Sequence, residues 1–260
     1  MGKYLTTILP DLSAGAATGS AYSDNDVLFG WTKFEIPKGP AEIKSIQAIV
    51  AGTDGVAANT HDIGIYFARS INGVEPPSFG TIHAAPTAIV TTAFKNNIIG
   101  HKMLDADAVD DTDHLISYSV WSDKGSSVSD PIPTMVLQGD PMYAATEGYQ
   151  AIWIAAIAHG AFNFGSEIHL DQGSNQAADT TGADVTLTVD QGGGSTGVAN
   201  NSFQVGDILI GATGGPTMEI TDMVSGTSTS LKVKNISEQI DDDEELVLKH
   251  PIRIHLGFEY

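Results

Sequence analysis

The densest set of metal-ligating side chains runs Asp105-Ala106-Asp107-Ala108-Val109-Asp110-Asp111-Thr112-Asp113-His114. Ca²⁺ takes roughly six to eight oxygen ligands, and a run of carboxylates is the simplest way to supply them. Asp105, Asp107, Asp110, Asp111 and Asp113 are therefore the Ca²⁺ candidates. An EF-hand loop needs Asp or Asn where Val109 stands and Gly where Asp110 stands, so that motif is not met. A solvated acidic loop ahead of a strand is the favoured reading, and no metal or cofactor is assigned. Asp241-Asp242-Asp243-Glu244-Glu245 reads as a charged hairpin turn, and Asp24-Asn25-Asp26 as a turn.

Nucleophilic chemistry has one literal match. Gly193-Gly194-Ser195-Thr196-Gly197 spells G-x-S-x-G. A nucleophile elbow requires a strand before the serine and a helix after it; here the serine sits in a glycine-rich linker between short strands. No Gly-rich loop ends in Lys-Ser or Lys-Thr, the pattern that cradles phosphates. The eight histidines (His61, His83, His101, His114, His159, His169, His250 and His255) form neither H-x-H nor H-E-x-x-H. His169 and His255 lie in matching Ile-His-Leu triplets and would meet if their strands pair; packing across strands is the favoured role. Trp31, Trp121, Trp153, Tyr149 and Phe162 would make a carbohydrate platform only if exposed together. Core packing is their default.

Bulk composition narrows the classes further. The chain has 260 residues, 42% of them hydrophobic, as in a globular protein. No apolar run approaches the ~18 residues of a membrane span. Met1-Gly2-Lys3-Tyr4 lacks the apolar core of a signal peptide, so folding in a cytoplasm is expected. There is no cysteine, which removes disulfides, thiolate metal sites and cysteine catalysis. The net charge is -20. Such a field repels nucleic-acid phosphates and anionic membranes, and no basic stripe offsets it. Neither partner is expected.

The elements that must position these residues are strands. Segments with strand character recur at Val27–Ile36, Ile43–Val50, Asp62–Ala68, Leu115–Trp121, Met135–Leu137 and Tyr149–Ala158, separated by Gly and Pro turns. The near-continuous apolarity of the last fits a strand buried on both faces. Ser70–Gly80 is a Gly/Pro-rich loop. Ile168–Asp171 closes this part, and periodicity is lost from Asp171 to Gly182. Five short strands follow: Val185–Val189, Asp207–Ile210, Thr217–Val224, Ser230–Asn235 and Glu245–Leu248. Pro251–Tyr260 then alternates cleanly. The fold class expected is all-β: a jelly-roll-like sandwich over residues 1–175, with its last strand at 250–260, and a small β-barrel-like domain over 176–249 inserted before that strand.

Two stretches carry a resemblance. Phe203-Gln204-Val205-Gly206-Asp207-Ile208-Leu209-Ile210, followed by Met218–Val224, Leu231-Lys232-Val233 and the acidic turn at Asp242-Asp243-Glu244-Glu245-Leu246, resembles a small β domain of tailed-phage capsid-type proteins. Glu147–Ala156 with Gly160–Gly165, and the opening Ser20–Val27, are similar to β-sandwich virion proteins of marine tailed phages. Together they cover about half of the chain. The resemblance implies a non-enzymatic virion protein made in the host cytoplasm. No long spine helix is present, which separates the chain from a major capsid protein. A capsid decoration or cement protein is the expectation, with the major capsid protein and further copies of itself as partners. The alternative is a tail- or fibre-associated adhesin that holds glycans, with exposed aromatics near Ser70–Gly80. A polysaccharide depolymerase would need paired carboxylates across a cleft, and no pair stands out.

Overall fold

The computed structural model describes residues 2–12, 21–53, 58–86, 95–104, 116–122, 135–166, 168–191, 202–211, 215–223 and 229–260, with side chains given outside 116–122 and Gln191. Its strands are β1 (Lys3–Ile8), β2 (Val27–Pro37), β3 (Ala41–Ala51), β4 (Asp62–Ala68), β5 (Ile98–Leu104), β6 (Ile116–Ser122), β7 (Met135–Leu137), β8 (Tyr149–His159), β9 (Ile168–Leu170), β10 (Val185–Gln191), β11 (Ile208–Gly211), β12 (Thr217–Met223), β13 (Ser230–Lys234), β14 (Leu246–Leu248) and β15 (Ile252–Glu259). One sheet runs β1-β15-β3-β6, with β7 also on β3. A second runs β2-β8-β4-β5, and a third runs β14-β11-β12-β13-β10-β9.

The first two sheets make a sandwich whose pairing has a simple logic. In chain order its eight main strands are β1, β2, β3, β4, β5, β6, β8 and β15. First pairs with last (β1 with β15), second with seventh (β2 with β8), third with sixth (β3 with β6) and fourth with fifth (β4 with β5), all antiparallel. Those are the pairings of one long hairpin. Rolling it brings β15 onto β3 and β8 onto β4. Eight strands wound in this way are a jelly roll.

Alternation decides which side chains fill it. Ile43, Ile46, Ala48 and Val50 of β3, Ile63, Ile65 and Phe67 of β4, and Ile252, Ile254, Leu256 and Phe258 of β15 all enter one buried core. From β8 only every second residue does so: Ile152, Ile154, Ala156 and Ala158. Its other face, Ala151, Trp153, Ala155 and Ile157, is buried with sheet neighbours such as Trp31, Tyr66 and Ile98 under Phe79, Ile82, Tyr143 and Ala145 from outside the sheet. That accounts for the unbroken apolarity of the segment. The buried Gln150 beside it is matched on both ends: Gly139 N–H donates to its Oε1 at 2.9 Å, and its Nε2 donates to the Pro37 carbonyl at 3.1 Å and to that of Gly39.

The third sheet lies, in sequence, between β8 and β15 and has a core of its own, built on Leu187, Leu209, Ile220, Leu231, Val233 and Leu246. All its neighbours are antiparallel. A bridge between His169 and Glu245, with Leu170 N–H donating to the Glu244 carbonyl at 3.0 Å, brings its two outer strands together, so it is nearly a closed barrel. One sequence assignment is corrected here. Ile168–Leu170 does not close the sandwich; it pairs with β10 as the barrel's first strand. The likeness of its Ile-His-Leu triplet to that of β15 reflects only the shared in-out-in alternation of two strands. His169 therefore pairs with Asp190, and His255 with Thr7 and Gln47, and the two histidines do not meet as strand partners.

The Phe203–Asp207 motif also gains a physical meaning. Phe203 is buried in the barrel core. Asp207 Oδ2 accepts from Gln204 N–H at 2.8 Å, and Gly206 takes φ 92°, a conformation glycine adopts without a Cβ clash. Gly206 N–H then reaches the Ile220 carbonyl and Ile220 N–H the Asp207 carbonyl, each at 2.9 Å. The motif docks the start of β11 on β12. Burial raises the Asp207 pKa above the ordinary aspartate value, offset in part by the Gln204 N–H and by Arg253. An acid with a raised folded-state pKa contributes stability at low pH that is lost as pH rises through that pKa. Asp207→Asn keeps the acceptor and removes the half-buried charge. The variant is expected to melt above the wild type at pH 7 in a fluorimetric scan, with the gain shrinking as pH falls toward the aspartate range. A variant that melts lower at both pH values would contradict this account.

Candidate interaction surface

The outer face of the β2-β8-β4-β5 sheet carries Trp31, Tyr66, Trp153 and His101. Two connections lie over it. In the first, Ile71-Asn72-Gly73-Val74 closes a two-residue hairpin: Ile71 and Val74 exchange N–H···O bonds of 2.9 and 3.0 Å, and Asn72 and Gly73 take φ 52° and 79°. Positive φ at both central residues is the type I′ turn, for which Asn-Gly is the preferred pair. The second connection, residues 138–148, turns beside it. Asp140 joins the two, accepting from Gly73 N–H through Oδ2 at 2.8 Å and from Met142 N–H through Oδ1 at 2.9 Å. Those N–H groups, Gly73 first, hold the Asp140 pKa below the usual carboxylate value.

Aromatic rings fasten this pair to the sheet. Phe79 is 1% exposed and meets Trp31 edge-on at 4.8 Å between centroids and Tyr66 at 5.5 Å. Trp31 Nε1–H donates to the Pro77 carbonyl at 2.9 Å. Tyr143 stands edge-on to the buried Trp153 at 4.9 Å, lies 5.5 Å from Lys33 Nζ and donates its hydroxyl to Glu75. The hydrogen bond to Glu75 raises the Tyr143 pKa. The result is a firmly held pair of turns with Val74 and Met142 at its surface, 68% and 67% exposed. Neither residue stands out in the sequence. Asn72-Gly73 marks the turn, but exposure of the flanking side chains depends on how the turn is anchored.

Asp105, Asp107, Asp110, Asp111 and Asp113, Ser195 with its flanking glycines, His114 and the Trp121 side chain lie outside the described residues. The turn at Asp241–Glu245 uses its acids structurally. Asp241 Oδ1 accepts from Asn175 and Gln239, Asp242 Oδ1 from Gln172 N–H, Glu244 Oε2 from Asp241 N–H and Glu245 Oε1 from Ser166 N–H, at 2.9 to 3.3 Å. These bonds tie the barrel's closing turn to its opening segment. Asp24-Asn25-Asp26 is a turn, with Asp26 Oδ2 accepting from Ser23 N–H at 2.8 Å. His159 and His101 both approach Gly64, with Asp24 3.6 Å behind His159 Nδ1; burial and then the neighbouring His159 lower the His101 pKa. Among the described residues no three His, Asp or Glu side chains converge on a metal position. Trp153 and Phe162 are core residues and Tyr149 is half exposed. No helix is long and apolar enough to cross a membrane, again among the described residues.

A second surface lies on the outer side of the other sheet. A groove of about 440 Å³ crosses β1, β15 and β3 at Gly257, between Leu5, Lys3, Lys44 and Glu259. Lys44 Nζ bridges Glu42 at 2.8 Å and Glu259 at 3.4 Å. Neither a protein-family model nor a curated protein matches the chain.

Proposed function

We propose that this protein is a non-enzymatic component of a tailed-phage particle, a capsid decoration or cement protein that binds the assembled shell through the Val74–Met142 turns. It would be made in the host cytoplasm and take its place in the virion, with the major capsid protein as its partner. The observation that carries this reading is the turn pair itself: two exposed aliphatic side chains on a scaffold that Asp140, Trp31 and Tyr143 hold in place. A preordered contact loses little conformational entropy on binding, so more of its interaction energy appears as affinity.

The chemistry of the surface favours a protein over a glycan. Glycan platforms present aromatic faces, whereas here Trp31, Tyr66 and Tyr143 are partly buried and used to fasten the turns, leaving aliphatic groups outermost. Jelly rolls serve in viral capsids but also in lectins and cupins, so the fold alone does not choose among them. The resemblance of the Phe203–Asp207 and Glu147–Gly165 segments to phage virion proteins supports the first. Stabilisation would follow from mass action, since a protein that binds the assembled shell and not its parts shifts the equilibrium toward the shell.

The test is co-sedimentation with undecorated shells, with isolated tails and host cells as separate arms. Saturable binding to shells, with a rise in their melting temperature, is the expected result. Burying a Val or Met is worth about 1.5–3 kcal/mol, and a carboxylate in its place adds a desolvation cost. The double variant Val74→Asp, Met142→Asp is therefore expected to bind shells at least ~100-fold more weakly with an unchanged melting temperature of its own. Binding to tails or cells alone would overturn the reading in favour of the adhesin.

A further inference from the structure

A chain of net charge -20 repels its own copies over most of its surface. One region differs. β1, β3 and β15 together carry Lys3, Lys44 and Arg253 against Glu42 and Glu259, three positive charges to two negative, or +1 with histidine neutral. Asp207 of the barrel faces Arg253, so the region is close to neutral, and it is where a second copy meets the least repulsion.

The same region holds a free edge of the sandwich, at one end of the sheet whose other end is β6. Among the described residues β1 pairs on one side only, with β15. Proteins guard free edges with charges, proline or covering chain. β2 has residues 82–84 against its start, where Val27 N–H reaches the Ala84 carbonyl and His83 N–H the Val27 carbonyl, and it ends on Pro37. β5 carries His101 and Lys102. β1, in contrast, reads Tyr4-Leu5-Thr6-Thr7-Ile8 after Lys3, uncharged and rich in strand-forming residues. Its inward residues Tyr4 and Ile8 pack on the core, while Leu5 is 67% exposed on the outer face. Leu5 pairs across the sheet with Gly257, which puts no side chain beside it on the groove floor, with the Ser45 hydroxyl beyond.

We infer that two copies of this chain associate by antiparallel pairing of β1 with β1, about a two-fold axis through Leu5. An antiparallel strand paired with itself is self-complementary, as a two-fold interface requires. With the axis at Leu5, Lys3 faces Thr7 of the second copy and Tyr4 faces Thr6, so outward residues meet outward ones and the two Lys3 side chains are kept apart. The two leucines face each other on the outer surface, at the separation of a cross-strand pair. The groove over each Gly257 gives them room. The two sheets become one, and the edge disappears. Because the rest of each chain is strongly negative, added salt screens the residual repulsion and tightens the pair.

The test is sedimentation equilibrium of the full chain, without shells, at low and at near-molar salt. A monomer–dimer equilibrium that strengthens with salt is expected. Leu5→Glu places two carboxylates across the axis and is expected to weaken the dimer at least 100-fold, while the circular-dichroism melt stays close to wild type because the side chain is exposed. Leu5→Ile, which keeps an apolar strand-former, is expected to retain the dimer. A wild-type monomer at every concentration and salt, a trimer, or a dimer untouched by Leu5→Glu would overturn the inference. The Val74→Asp, Met142→Asp chain serves as the control that separates the two proposals. If it dimerises but does not sediment with shells, both stand; if wild type dimerises and ignores shells, only the shell reading falls.

Discussion

Removal of residues 251–260 is expected to unfold the sandwich. Ten residues at the end of a chain usually matter little, because ends are weakly attached. Here they form β15, which lies between β1 and β3, paired along its length with both. Ile252, Ile254, Leu256 and Phe258 are all buried in the core. At about 1.5–3 kcal/mol for each buried apolar side chain, the loss is roughly 6–12 kcal/mol. That equals most of the ~5–15 kcal/mol by which domains of this kind are stable. It also detaches β1 and leaves the backbone groups of β3 unpaired along the cut. The truncated chain is expected to lose its cooperative thermal transition and its near-ultraviolet dichroism while the barrel, whose core shares no residue with the sandwich, keeps its own strand signal. A truncated chain that still melts cooperatively as a sandwich would show that β15 is dispensable and the pairing misassigned.

The strands that the sequence shows plainly are those with a strict period or an unbroken apolar run. β15 alternates over its whole length, and β8 is apolar without a break from Ala151 to Ala158; both meanings are confirmed by their burial. β1 and β5 were not legible as strands. β1 has two threonines and an outward leucine that break the contrast between faces, and β5 holds Gly100, His101 and Lys102 among its apolar residues. Edge strands face fewer neighbours, so their sequences carry a weaker signal. Pairing was less legible still. The matching Ile-His-Leu triplets suggested that two strands meet, yet register depends on which hydrophobic faces share a core, and theirs belong to different cores.

The interaction surfaces were the least legible part, for a related reason. Exposure of Val74 and Met142 is set by Asp140 and Tyr143, whose partners Gly73 and Glu75 lie more than sixty residues away in the chain. The sequence showed aromatic residues near the Ser70–Gly80 loop and raised a glycan platform. It could not show that those rings face the loop's underside. Likewise, the uneven charge that marks the β1 edge is invisible in a total of -20 and emerges only once β1, β3 and β15 are known to be neighbours.

Excision of the barrel is expected to leave a folded sandwich. The six strands β9 to β14 lie between Ser166 and His250, and the two crossing points are close: Ser166 donates its N–H to Glu245 Oε1 at 3.0 Å and its hydroxyl to the Leu246 carbonyl. A Gly/Ser linker of about four to six residues replacing 167–249 can span the remaining gap, at roughly 3.3–3.6 Å of reach per residue. What the sandwich loses is peripheral: the two bonds of Ser166 to Glu245 and Leu246, the 3.6 Å ion pair of Lys249 with Asp11 and the electrostatic contact of Asp207 with Arg253. At these partly exposed positions each charge pair contributes about 0–1 kcal/mol, and excision opens Ser166 to water, which replaces its lost partners, so the excised chain should melt cooperatively within a few degrees of the sandwich in the intact protein. Both proposed surfaces, the Val74–Met142 turns and the β1 edge, belong to the sandwich and remain in place. The excised protein is therefore expected to dimerise and to sediment with shells, which would make the barrel a module that neither contact requires. A sandwich that folds but no longer binds shells would move the shell contact onto the barrel, and one that fails to fold would mean that the barrel closes the β8–β15 connection in a way the linker does not replace.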